Sequence, residues 1–164
     1  MLTRIGFILL ATVSISRGDP AELLRAKAAF EHLKRPSEEE RVHYIVHLIG
    51  LRQRYAKLAD QQWRWDVDAE ILSRPAPPAT ATYVRRIVGK WRSPRHDYLY
   101  RANGTFTILP VEPDSRWDRW RIDGNRLFQA FSDQPDKFHE YTIILLTDEW
   151  LVFTDGYVYY HTRI

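Results

Sequence analysis

The hydrophobic and polar positions follow two different periods along the 164-residue chain. Up to about residue 74, apolar residues recur every three or four positions, which is the period of an amphipathic α-helix. From Tyr83 onward apolar and polar residues alternate, which is the period of a β-strand with one buried face. Residues 75–82, between the two halves, are rich in proline and predict a stiff, extended linker. The pattern therefore predicts an α+β fold, with the helices first and an antiparallel sheet second.

Three helices are predicted in the first half, over the approximate spans 19–34, 37–57 and 61–73. The second opens on a capping box, because Ser37 is followed three residues later by Glu40. Its apolar residues cover a wide arc of the helix surface. We therefore expect this helix to pack on more than one neighbour.

About eight strands are predicted in the second half, joined in sequence order as a meander. Three connections pair Asn or Asp with Gly, which favours tight hairpin turns, and they lie at residues 103–104, 123–124 and 155–156. Further strands are predicted over Tyr83–Trp91 and Phe138–Leu146. Eight short strands can close into a barrel or form a strongly curved sheet, and closure removes the exposed edges.

The predicted strand over residues 141–146 is apolar on both faces, so its outer face must be covered. We expect the helix over 37–57 to cover it, with Leu48 against Ile144 or Leu146. The helices are then either a structural support for the sheet, or a lid or docking surface for a partner.

Three features of the second half resemble the lipocalin and related calycin barrels. The Gly-Lys-Trp run at 89–91 resembles their G-x-W signature, and the run over 120–127 resembles the W-x-I-x-G-N-x-L hairpin of small bacterial lipocalin-like domains. An arginine near the end of the last strand is similar to the one that those folds lay over the signature tryptophan. The resemblance covers residues 83–164 and implies a barrel whose first and last strands are neighbours. The residues with this structural role are Gly89, Trp91 and Arg163.

Aromatic residues make up 13% of the chain and concentrate in the sheet half. Strand alternation predicts one inward-facing set, made of Tyr98, Tyr100, Phe106 and Trp120. This set is either plain core or the wall of a pocket, in which tyrosine hydroxyls and tryptophan N–H groups orient a small apolar or amphipathic ligand. An empty interior on the order of a few hundred Å³ favours the ligand, and a filled interior favours a protein partner.

Two clusters contain residue types found in metal or catalytic sites. His43 and His47 stand one helical turn apart, but no glutamate follows the first as a metalloprotease requires, so we interpret them as solvated. Ser93, His96 and Asp97 supply the residue types of a triad, yet neighbours on a strand point to opposite faces. We therefore predict a protein that is not an enzyme, with no cofactor and no metal site.

Residues 1–18 have the layout of a secretory signal peptide, with a basic start, an apolar run and small residues before the expected cleavage after Ser16 or Gly18. The apolar run is too short to span a bilayer. We therefore expect export to the periplasm or the exterior, with no membrane span in the mature chain. Removing Arg4 and Arg17 with this segment lowers the formal net charge of +3 by two, to +1, which gives no reason to expect a nucleic-acid partner. The chain has no cysteine for a disulfide or a thiol nucleophile.

Together these patterns predict an exported, non-enzymatic binding protein for a small hydrophobic or amphipathic ligand. The alternative is a protein-binding module, such as an inhibitor or immunity-type factor, that uses its sheet, loops or helices. A hydrolytic enzyme is a distant third. The predicted organisation is a signal peptide (1–18), a helical segment (19–74), a linker (75–82) and a lipocalin-like β domain (83–164).

Overall fold

The structure is a computed structural model, and it describes residues 20–58, 61–74, 83–110, 118–131, 133–134 and 136–164. The predicted signal peptide and the predicted proline-rich linker lie outside these residues. Within the described part of the chain, no helix is long and apolar enough to cross a membrane.

Four helices precede eight strands in the described residues. The helices are α1 (Pro20–Glu31), α2 (Glu38–Lys57), α3 (Gln61–Leu72) and the short α4 (Tyr83–Ile87). The first four strands are β1 (Gly89–Arg92), β2 (Asp97–Tyr100), β3 (Thr105–Leu109) and β4 (Asp118–Asp123). The last four are β5 (Arg126–Ala130), β6 (His139–Leu146), β7 (Trp150–Thr154) and β8 (Val158–Arg163).

The start of α2 confirms the predicted capping box. The Ser37 hydroxyl accepts a hydrogen bond from the Glu40 backbone N–H at 3.2 Å, and the Glu40 carboxylate accepts one from the Ser37 N–H at 2.7 Å. Two backbone donors that the helix leaves unpaired are thereby satisfied.

The prediction of a strand over Tyr83–Trp91 is wrong in its first half, which forms α4. Tyr83 and Ile87 lie one helical turn apart, and both are buried in the cluster that fills the barrel. The indole N–H of Trp91 donates to the Ile87 carbonyl at 2.7 Å. A helical turn therefore buries two apolar residues over the start of β1, which local alternation does not reveal.

The eight strands form one closed antiparallel barrel in sequence order. Each strand pairs with the next, and β8 pairs with β1 through Trp91 opposite Arg163 and Arg92 opposite Thr162. The predicted α+β class, with helices before an antiparallel barrel, is confirmed. The architecture is compatible with a lipocalin-like fold.

The predicted contact between the first and last strands is also present. The Arg163 guanidinium lies 4.4 Å from the centre of the fully buried Trp91 ring system, within cation–π distance. Gly89 has a φ of +137°, and a Cβ atom there would collide with the guanidinium nitrogen Nη1. The three signature residues thus form one unit, because glycine leaves the space that the arginine occupies. The guanidinium donates to the carbonyls of Arg86, Val88 and Asp148.

The helices cover the outer face of β6 to β8. Leu48 is fully buried in one apolar cluster with Ile144 and Leu145, so α2 and the outer face of β6 share a core, as expected. Leu146 instead packs with the barrel interior. A β-bulge explains the difference, because Ile144 is an extra residue in the pairing with β7 and shifts the alternation by one.

Candidate ligand-binding site in the barrel

The four residues predicted to bind a ligand form one aromatic cluster inside the barrel. The Tyr100 ring is the centre of this cluster, with centroid distances of 5.5 Å to Phe106, 5.8 Å to Trp120 and 6.4 Å to Tyr98. Tyr100 and Phe106 are fully buried, whereas Tyr98 is half-buried. The predicted set therefore exists as a unit that extends from the core toward solvent.

The β2–β3 hairpin places these rings. Its register sets Tyr100 opposite Phe106 and Tyr98 opposite Ile108, so all four side chains share the inner face. The turn between the strands needs a residue with positive φ, and Gly104 supplies it at +81°. The hairpin predicted from the Asn-Gly pair therefore aligns three of the four residues of the cluster.

Some of the polar atoms in the predicted set are already occupied. The Trp120 indole N–H donates to the backbone carbonyls of Arg101 (3.1 Å) and Thr105 (3.0 Å). The Tyr100 hydroxyl accepts from the Gln129 side-chain amide at 2.6 Å. The Trp120 side chain therefore has only apolar surface left for any further contact.

The sequence analysis missed the other half of this lining. His161 stacks on Tyr98, with ring centroids 4.6 Å apart, and its ring lies edge-on to Phe153 at 5.2 Å. Phe153 stacks on Tyr159 at 5.3 Å, and Tyr141 contacts both of these rings edge-on. These rings join the Tyr98 side of the predicted set into one continuous aromatic lining.

A signal for two of the missed residues was present in the sequence. Arg163 was predicted to lie over Trp91 at the inner end of the last strand. Alternation along that strand puts Tyr159 and His161 on the same inner face as Arg163. Counting every second residue back from Arg163 along the last strand would have identified Tyr159 and His161 as inward-facing.

His161 is the least satisfied polar residue of the lining. Its side chain is 3% exposed, and its Nδ1 atom is buried without a hydrogen-bond partner. Burial lowers the pKa of His161 to about 3, so the imidazole is neutral at physiological pH. Leaving such a group unpaired costs about 1–3 kcal/mol, and a native structure that retains one calls for an explanation.

The tyrosines of the lining are all held in the protonated form. Burial raises the pKa of Tyr98, and it raises the pKa of Tyr100 further still because that ring is fully buried. Burial, with a smaller effect of the Asp155 carboxylate, raises the pKa of Tyr141 to about 12. Each hydroxyl is therefore a hydrogen-bond donor at neutral pH.

The lining is closed at one end of the barrel and reaches solvent at the other. Helix α4 and the Arg163–Trp91 contact lie at the end where β1 begins. Toward the β7–β8 turn, Tyr159 is 37% exposed, and its hydroxyl donates to Asp155 at 3.4 Å. The end of the barrel beside Tyr98 and Tyr159 is therefore the open end of the lining.

The paired histidines of α2 and the Ser93, His96 and Asp97 group do not form catalytic arrangements among the described residues. His43 is exposed, while His47 is half-buried and burial lowers its pKa. The Ser93 hydroxyl donates to the backbone carbonyl of His96 at 2.9 Å, which shapes the β1–β2 turn, and Asp97 pairs with an arginine. Among the described residues, no three His, Cys, Asp or Glu side chains converge as a metal site.

A separate pocket of about 360 Å³ lies on the helical surface, where α1 ends and α2 begins. It combines apolar side chains with charges of both signs, and its lining is Phe30, Glu31, Leu33, Pro36, Glu38, Arg41 and Arg74. This pocket does not include residues of the barrel interior. A small molecule bound by this chain could also lie in this pocket, away from the barrel.

No protein-family model, no curated protein and no solved structure matches this chain. The likeness to lipocalin barrels therefore stands on the barrel topology and on the Gly89, Trp91 and Arg163 unit described above.

Proposed function

We propose that this chain is an exported, non-enzymatic binding protein that holds a small hydrophobic or amphipathic molecule at the open end of its barrel. The supporting observation is the aromatic lining, which runs from fully buried Tyr100 to partly exposed Tyr98 and Tyr159 and contains an unpaired polar atom on His161. Small-molecule sites have this composition, with apolar and aromatic walls and a few converging polar groups. Export is supported by the signal-peptide layout of residues 1–18.

A protein-binding module is the second candidate, and one observation favours it. The rings of the lining contact one another at centroid distances between 4.6 and 6.4 Å, so the barrel's own side chains take up much of its interior. Two aromatic residues outside the lining are exposed, Tyr157 at 71% in the β7–β8 turn and Trp65 at 56% on α3, and exposed aromatics are typical of protein interfaces. In this case the barrel is a scaffold and its surface binds the partner.

Binding of the neutral apolar fluorophore Nile red separates the two functions. We expect micromolar binding to the full chain, and we expect Trp120→Ala to change the affinity because this ring packs directly on Tyr100. The matched control is Trp65→Ala, which removes an exposed tryptophan from α3 and should leave binding unchanged. Circular dichroism of both variants checks that the barrel is folded. If neither Nile red nor a broad lipid panel binds, the small-ligand function is wrong and the protein-binding module takes its place.

A further inference from the structure

The pocket between the end of α1 and the start of α2 is a defined part of the fold, outside the barrel. Its volume of about 360 Å³ is at the lower end of the range for small-molecule sites, roughly 300–1,000 Å³. Pro36 lies between the two helices, and the capping box at Ser37 fixes where α2 begins. The size of this pocket therefore suits a small molecule rather than a long lipid chain.

The more buried part of the pocket lining is basic and aromatic. The Arg74 side chain is only 18% exposed, and its guanidinium lies 5.1 Å from the centre of the Phe30 ring. It pairs with Glu70, which Lys27 also contacts at 3.3 Å, so one buried carboxylate faces two cations. Arg41 is half-buried and donates to a backbone carbonyl of β6 at 3.5 Å. This part of the lining thus has an excess of positive charge, and guanidinium groups are well suited to binding a carboxylate.

The more exposed part of the lining is acidic and apolar. Glu38 is exposed in the first turn of α2, and the Glu31 side chain is 55% exposed at the end of α1. Leu33 and Pro36 add apolar surface to the same lining. One small pocket therefore combines a buried basic part with an exposed acidic part.

We propose that this pocket binds a free α-amino acid with an apolar side chain. The ligand's carboxylate contacts Arg41 and Arg74, and its ammonium group lies toward the two glutamates. Its side chain packs against Phe30. A simple anion would be repelled by the glutamates and a simple cation by the arginines, whereas a zwitterion satisfies both parts of the lining. This site is separate from the barrel, and the inference goes beyond the proposed function.

Three compounds with the same phenylethyl body test the proposal on the isotope-labelled full chain at pH 7. L-Phenylalanine carries both charges, 3-phenylpropanoate lacks the ammonium group, and 2-phenylethylamine lacks the carboxylate. In two-dimensional amide NMR titrations, we expect L-phenylalanine to bind most tightly and to shift the signals of Phe30, Leu33 and Arg41. 2-Phenylethylamine should bind about tenfold more weakly, because it loses the charge-assisted contacts to the more buried arginines. 3-Phenylpropanoate should bind about threefold more weakly, since ion pairs with exposed carboxylates contribute less.

Variants then assign each charge of the ligand to its partner. Glu38→Gln should weaken L-phenylalanine binding about threefold and should not weaken 3-phenylpropanoate binding. Arg41→Gln should weaken both of these compounds and should not weaken 2-phenylethylamine binding. The matched controls are Glu39→Gln and Arg35→Gln, which remove exposed charges close in the chain but outside the pocket lining, and they should change no affinity. Circular dichroism checks that each variant is folded, and Arg41→Lys repeats the test with the charge kept if Arg41→Gln is not.

The possible results separate this inference from the proposed function. If L-phenylalanine shifts no signal around this pocket, or if either singly charged compound binds as tightly, the amino-acid assignment is wrong. Equal effects of Glu38→Gln and Glu39→Gln would also overturn it, because they would show attraction to the general surface charge. None of these results changes the Nile red test, since that probe is neutral and reports on the barrel.

Discussion

Replacing His161 with phenylalanine should remove a large part of the acid sensitivity of this fold. The imidazole is 3% exposed, packs between Tyr98 and Phe153, and has no hydrogen-bond partner at Nδ1. Burial lowers its pKa to about 3, whereas a histidine in the unfolded chain titrates near 6.5. Phenylalanine has nearly the same shape and does not titrate. His161→Phe therefore tests the titration without emptying the site.

The direction of the effect follows from proton binding. Above pH 6.5 the imidazole is neutral in both states and contributes no pH dependence. Between pH 6.5 and 3 the unfolded chain binds a proton at His161 that the folded protein does not bind, so stability falls as the pH falls. One pH unit corresponds to about 1.36 kcal/mol for one proton, which gives a loss of about 3 kcal/mol between pH 7 and pH 4.

Urea unfolding followed by tryptophan fluorescence at pH 7, 5.5 and 4 measures this loss. The wild-type protein should lose about 3 kcal/mol more than His161→Phe over this range, because the carboxylates and other histidines titrate equally in both proteins. At pH 7 the variant should be as stable as the wild type or more stable, since a buried unpaired nitrogen is removed. His161→Gln, which also does not titrate, repeats the test if the larger ring is not accommodated. Equal losses in the wild type and both variants would refute the account of His161 as a buried neutral group.

Three further predictions concern the fold and processing of the chain. Leu48→Asp should destabilise the whole protein by about 3–5 kcal/mol in urea unfolding, because it buries an unpaired charge between α2 and the barrel, whereas Leu24→Asp at a 66% exposed position should have little effect. Arg163→Lys should cost about 1–2 kcal/mol in the same assay, because an ammonium group cannot stack on Trp91 as a planar guanidinium does and has one nitrogen in place of the three that contact carbonyls. The intact mass of exported protein should show an N-terminus at Arg17 or Asp19, and a retained apolar N-terminal run would contradict the signal peptide.

The sequence predicted correctly those turns and helix starts that depend on residues close together in the chain. The β2–β3 turn follows from the Asn-Gly pair, and Gly104 has the positive φ that the turn requires. The capping box at Ser37 likewise depends on residues within one helical turn. The family resemblance also predicted one contact between residues far apart in the chain, the stack of Arg163 on Trp91.

The features that sequence reasoning missed depend on tertiary packing. The segment Tyr83–Ile87 forms a helix because two of its residues are buried with the barrel interior, and an alternating pattern gives no sign of this. The bulge at Ile144 reverses the alternation within β6, so Leu146 points inward although the uninterrupted pattern put it on the same face as Ile144. The unpaired nitrogen of His161 becomes visible only once its neighbours are known.

The location of a bound molecule tests the central claim most directly. Intermolecular nuclear Overhauser effects can be measured between the aromatic protons of Nile red and the side chains of the isotope-labelled full chain. We predict contacts to Tyr98, Tyr159 and His161 at the open end of the barrel. Contacts only to Phe30 and Leu33, in the pocket between α1 and α2, would contradict the account, and so would the absence of any contact at a saturating probe concentration.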